Sequence, residues 1–238
     1  MGQKKLERFA EIKTFENVLE YPKNMQGKWK DFFGNDNPVT LELACGKGEY
    51  ALGLGRLHPN RNFIGIDVKG NRIWRGAKTA LTENLKNVAF IRSQIESITD
   101  YFAKEEVSEM WLTFPDPHLP NVKWKKRLTS PRFLRLYKPI LKNDGIIHLK
   151  TDSPVLYKFT KAVIDIFNLE TVTDNDNIYK NLRVSPELSI KTFYESLDIA
   201  GFHKVHYLAF KLNNDLPFEK DELVKKYVFE SAKNGKDF

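Results

Sequence analysis

A single cysteine, Cys45, in 238 residues excludes an intramolecular disulfide and any metal site built from several thiolates. A reducing, cytoplasmic setting is therefore expected. Long apolar runs are missing too: no stretch approaches the roughly 18 residues of a membrane span, so no membrane partner is expected. The opening MGQKKLERFAEIKTF is charged at short intervals where a secretory signal needs an apolar stretch. Its Met1-Gly2 start fails the myristoylation pattern, because Leu6 stands where Ser or Thr is required. Internal repeats and low-complexity blocks are also lacking. No metal is expected. The five histidines do not cluster, and His203 and His206, three apart on an expected strand, face opposite sides of a sheet.

One sign of charge is missing locally. Lys and Arg number 38 against 31 Asp and Glu, a formal excess of +7. Between Pro117 and Asn143 there is no acidic residue, while Lys123, Lys125, Lys126, Arg127, Arg132, Arg135, Lys138 and Lys142 supply more positive charge than the whole excess. A single-sign block raises the local potential for a polyanion, which points to nucleic acid. Trp124 within KWKKR either stacks on a base or is buried.

From Val39 to Leu212 short β-rich runs alternate with segments of helical period, the pattern of a mostly parallel sheet covered by helices. Seven strands are expected, near Val39-Ala44, Asn62-Asp67, Val88-Arg92, Glu109-Thr113, Ile146-Thr151, Leu169-Thr173 and Val205-Phe210. Ser130-Pro131 and Ser153-Pro154 each read as an N-cap followed by Pro at the first helical position. After the first, Phe133, Leu134, Tyr137, Ile140 and Leu141 form one apolar face, leaving Arg132, Arg135, Lys138 and Lys142 on a face free to bind. Residues 1–36 read as a basic arm with one short helix, 37–212 as the main domain and 213–238 as a charged tail with a helix around Asp221-Ala232.

Two constellations carry chemistry. The first expected strand runs into Ala44-Cys45-Gly46-Lys47-Gly48-Glu49-Tyr50-Ala51, where small residues permit a tight turn and close approach of a ligand. Gly46-x-Gly48-x-x-Ala51 fits a dinucleotide fingerprint, and Asp67 lies roughly 20 residues beyond, where a carboxylate can accept ribose hydroxyls. Glu42 shifts the reading towards S-adenosylmethionine, whose cationic end can use a carboxylate. A strand-edge Glu42 and a helix-capping Asp67 are the plainer alternatives. Cys45 reads as packing in a crowded turn. In the second constellation, Thr113-Phe114-Pro115-Asp116-Pro117-His118-Leu119-Pro120, prolines stiffen a loop at the carboxyl edge of the sheet, presenting Asp116 beside the basic block.

The order LELACGKGEY, FIGIDV, TFPDPHLP, KKRLTSPRFL, LKTDS and KTFYE resembles the bacterial tRNA (guanine-N7)-methyltransferases over about residues 38 to 212. The resemblance implies a Rossmann-like class I methyltransferase fold of α/β type, S-adenosylmethionine as cofactor, and transfer of a methyl group to N7 of a guanosine in the variable loop of tRNA; the sequence leaves monomer or homodimer open. It implies that Glu42 and Asp67 contact the cofactor, alongside Gly46 and Gly48 of the turn read above. Asp116 would be the active-site carboxylate bordering the cofactor, and Asp152, Thr192 and Glu195 would contact substrate. Three departures stand out. Ala44 replaces a glycine, which the backbone tolerates if φ there is negative. Gln94 takes the place of an Asp in the cofactor pocket, where its amide can bond adenine. His118 and Pro120 replace the Trp and Lys of DPWPK, leaving Lys123 or Lys125, with Arg127, to meet phosphate. A non-catalytic RNA-binding protein of the same fold is the alternative, and a nicotinamide-dependent oxidoreductase a weaker one.

Overall fold

The computed structural model describes residues 3–119, 121–180, 183–196 and 204–233. Pro120 and His203 lie outside them. Strands β1 (Val18–Glu20), β2 (Val39–Leu43), β3 (Asn62–Asp67), β4 (Val88–Arg92), β5 (Val107–Thr113), β6 (Leu141–Thr151), β7 (Glu170–Asn175) and β8 (His206–Lys211) form one sheet in the order β1-β4-β3-β2-β5-β6-β8-β7. All neighbours are parallel except β8, which runs antiparallel to β6 and β7. Helices are α1 (Gln3–Glu11), α2 (Trp29–Phe33), α3 (Glu49–Leu57), α4 (Gly70–Thr82), α5 (Pro131–Tyr137), α6 (Pro154–Phe167), α7 (Pro186–Ser189), α8 (Phe193–Ser196) and α9 (Asp221–Lys233).

The central strands are buried along their whole length, as a sheet covered on both faces requires. Alternation sorts their side chains: Leu41, Leu43, Ile64, Ile66, Met110 and Leu112 join the core beneath α5, α6 and α9. Phe63, Phe90, Trp111 and Tyr207 join the core beneath α3 and α4. Glu42, between Leu41 and Leu43, therefore points to the α3 side. The chain leaves β2 towards β3 on one flank while β5 pairs on the other, so a topological switch point opens at the carboxyl ends of β2 and β5.

The sheet has eight strands, where seven were expected. The additional one, β1, comes from the segment read as an arm and pairs in parallel with the edge of β4, Val18 opposite Phe90. Three residues show no alternation to recognise. The rest of that segment is anchored by buried Ile12 and by Trp29, which stacks on Phe102 at 5.2 Å and donates to the Tyr101 carbonyl at 2.9 Å. Ser130 and Ser153 stand at the N-cap positions of α5 and α6; the Ser153 hydroxyl caps by accepting from the Leu156 amide at 3.2 Å, whereas the Ser130 hydroxyl donates to the Lys125 carbonyl at 3.0 Å. Helix α5 stops at Tyr137, ahead of Pro139. The charged tail docks through Val224 and Val228, both fully buried.

Candidate active site

A cavity of about 420 Å³ lies at the switch point, lined by residues from the ends of β2, β3 and β5 and by Thr192 and Phe193. Glu42 forms its buried floor. One carboxylate oxygen accepts the Ala51 amide in the first turn of α3 at 2.8 Å, and the other accepts the Thr113 hydroxyl at 3.0 Å. Desolvation pushes its carboxyl up to about 8, helped by the nearby charges of Glu49 and Asp67.

The turn above it places three left-handed residues in five positions: Ala44 at φ +56°, Gly46 at +57° and Gly48 at +70°. The positive φ at Ala44 overturns the condition under which alanine was expected to be harmless there. At Gly46 an added Cβ would meet nothing within 4 Å, so a ligand can approach the backbone, whereas at Gly48 it would strike Phe90 at 2.4 Å. Gly48 thus serves packing as well as the turn. Cys45 is buried, and burial pushes its thiol well up, in keeping with packing. Asp67 holds the turn from β3, accepting the Gly46 amide at 3.0 Å and the Lys69 amide at 2.7 Å.

Asp116 stands at the rim with a side chain 73% exposed, and one of its oxygens accepts the His118 amide at 2.8 Å. Arg127, expected to meet phosphate, is instead fully buried: its guanidinium donates to the carbonyls of Pro117 (3.0 Å) and His118 (3.4 Å), bracing the Asp116 loop from inside. Trp124 is buried near Phe159, the second of its two readings. Lys123 and Lys125 are exposed on a short 3-10 turn.

Thr192 lines the cavity, and Glu195 lies just behind it. The Thr192 hydroxyl accepts the Glu195 amide at 3.2 Å while the Glu195 carboxylate faces the Thr192 amide at 3.4 Å, the reciprocal capping box at the start of α8. The same carboxylate binds the fully buried Lys150 ammonium at 2.9 Å and accepts from the Tyr179 hydroxyl. Lys150 also donates to the carbonyls of Leu188 (2.8 Å) and Ile190 (2.9 Å), so all three of its protons are used in fastening residues 188–195 over the sheet edge. Sequence reading missed Lys150, although Thr192-x-x-Glu195 carried the capping signal.

Asp152 follows β6 and does not line the cavity; desolvation raises its carboxyl and Glu195 adds to that. Gln94 is exposed, two residues beyond β4, and also stands apart from the lining. Lys47, Thr113, Phe114 and Phe193, which lie within the quoted motifs but were given no role, join the lining, as do Lys69 and Arg72, which lie outside every motif.

A family model described as a putative methyltransferase matches residues 36–200. The tRNA (guanine-N(7)-)-methyltransferase of Christiangramia forsetii is 48% identical over 223 residues, spanning 89% of this chain and all of that protein. The enzyme of the same name from Bacteroides thetaiotaomicron is 46% identical over 221 residues, 89% of this chain and 87% of the relative. This chain belongs to the tRNA (guanine-N7)-methyltransferase family. Among solved structures, the 16S rRNA methyltransferase KamB superposes with a TM-score of 0.58 at 12% identity, over 77% of this chain and 92% of that one. That likeness speaks for the class I methyltransferase fold. Relative to the family pattern, Ala44 is the departure whose structural cost is visible, since it holds a glycine's conformation.

Proposed function

We propose that this member of the family transfers a methyl group from S-adenosylmethionine to N7 of a guanosine in the variable loop of tRNA. The observation that carries the reading is the meeting of Glu42, Asp67 and Asp116, from three separate strand ends, in one cavity beside an open glycine backbone. These residues fit the cofactor. Asp67 retains acceptor capacity for ribose hydroxyls beyond the two amides it already accepts. Gly46 leaves room beside the turn, and Glu42 offers a desolvated carboxylate to a cationic end. When bound, S-adenosylmethionine supplies an electrophilic methyl group.

Guanine N7 has an in-plane lone pair and no proton, so its attack needs no general base. The chain's contribution is orientation and charge. Asp116, a carboxylate on a braced rim, accepts hydrogen bonds from the N1 and N2 edge of an extruded guanine and favours the positive charge that arrives at the ring. Thr192 borders the same space, while Glu195 acts through the capping box and Lys150. Lys123 and Lys125 meet phosphate beside the rim.

Asp116→Asn is expected to keep cofactor affinity and lower turnover by about 10²- to 10³-fold, because the amide turns a donor towards guanine donors and removes the anion. Borohydride and aniline treatment, which cleaves the chain at 7-methylguanosine, locates the product. Modification outside the variable loop, or full turnover by Asp116→Asn, contradicts the assignment.

A further inference from the structure

Next to the cavity, across the wall formed by Lys47 and Phe193, a larger groove of about 1040 Å³ runs between α3 and α4. Cations reach it from five separate parts of the chain: Arg8 on α1, Lys47 in the glycine turn, Arg56 on α3, which Glu83 holds at 2.7 Å, Arg72 and Arg75 on α4, and Lys191 just ahead of α8. Glu49 is the one carboxylate of intermediate exposure set among them. Among the described residues, Lys47, Arg75 and Lys191 have no carboxylate within ion-pair distance. Arg8 is held in place because its guanidinium lies 4.5 Å from the centre of the Trp74 ring, while the Trp74 indole N–H donates to Glu11 at 2.7 Å. The α1 segment is thereby fixed against α4, and its cation forms part of the groove wall.

Positive charges gathered in a concave channel repel one another and focus the field for an anion. The groove shares Lys47, Glu49, Arg72 and Phe193 with the cavity, so an anionic chain lying in it runs alongside the site, and a base turned out of that chain has only the Lys47–Phe193 wall to cross. A flat membrane surface cannot follow that path, and a single small anion would span only a small part of its length. We propose that this groove carries the phosphate backbone of the RNA whose guanosine enters the neighbouring cavity, making the face between α3 and α4 the main RNA track. The proposal rests on the function given above and adds the route by which the substrate is held.

The test compares Arg75→Glu/Lys191→Glu with the wild-type chain in tRNA filter binding across a salt series, with S-adenosylmethionine affinity measured by calorimetry. Neither residue lines the cofactor cavity. The double variant is expected to bind tRNA at least about tenfold more weakly, with the salt slope reduced by about 2, and to retain cofactor affinity. Arg75→Ala/Lys191→Ala is expected to lose affinity in the same direction by a smaller factor; it gives the reading if charge reversal impairs folding. Unchanged affinity and slope in both variants, with wild-type tRNA methylation intact, overturn the groove and leave the function standing. Wild-type protein that neither binds nor methylates tRNA overturns the function and the groove with it.

Discussion

Residues 123–142 and the groove between α3 and α4 both carry clustered positive charge, and the fold arranges the two sets differently. In the contiguous run, Arg127 is buried under the Asp116 loop. Arg135 is clamped on Asp221 and on the carbonyls of Leu216 and Pro217, and Lys138 holds Asn214 and Asp215. Arg132 faces Glu96 at 3.5 Å. The face of α5 expected to be free to bind is therefore largely the seat of the C-terminal segment. The groove's cations are scattered over more than 180 positions, from Arg8 to Lys191, and converge only in space. Charge density along a chain thus marks neither where the charge faces nor what it meets.

The largest expected effect tests the inward side of this contrast. Arg127→Ala removes a buried side chain and strands two loop carbonyls, and should lower stability by about 3 kcal/mol or more in urea unfolding. Its salt slope for tRNA should stay at the wild-type value. Lys125→Ala, two residues away, should do the reverse, with stability within about 0.5 kcal/mol and a slope reduced by about 1. A stable Arg127→Ala with a reduced slope would return Arg127 to the RNA-facing surface.

A second effect separates the cavity from both flanks by pH. Glu42 has its carboxyl raised from 4.5 to about 8, so the stability it contributes is whole below the ordinary value and is lost as pH rises through about 8. Affinity for a cationic ligand runs the other way. Between pH 7 and 9 the ionised fraction grows about tenfold, and S-adenosylmethionine affinity should grow by the same factor relative to Glu42→Gln, a reference that cancels titration of the ligand's own amino group. Parallel pH profiles for wild type and Glu42→Gln would remove Glu42 from the binding of the cation.

What was legible beforehand follows the range of the interactions involved. Strands β3 and β4 have the bounds that their apolar runs suggest, and Ser153-Pro154 starts α6 as a local cap should, because these signals lie within a few residues. The turn at Gly46 and the carboxylates Glu42, Asp67 and Asp116 meet as motif spacing on a parallel sheet implies. Long-range partners were invisible. Nothing near Arg127 announces that its guanidinium turns inward, and nothing near Lys150 announces the carbonyls of Leu188 and Ile190. β1 is too short for a period, and the docking of α9 depends on Arg135, 86 positions before Asp221. Thr192 and Glu195 were noticed for the family motif they share; their reciprocal capping was a local signal that could have been read.

The smallest expected effect concerns Ala44, which lines the cavity and adds no charge to either basic region. A non-glycine residue in the left-handed region places its Cβ against the following carbonyl, a cost of about 1 kcal/mol or slightly more. Glycine adopts that conformation freely but gives the unfolded chain more states to lose, which offsets part of the gain. Ala44→Gly should therefore raise stability by roughly 0.5–1 kcal/mol, seen as a higher urea midpoint at unchanged m-value. The tRNA salt slope should not move, since no cation has been added, removed or redirected. A lower midpoint would mean that the Ala44 methyl contributes more through its contacts at the cavity wall than the left-handed backbone costs.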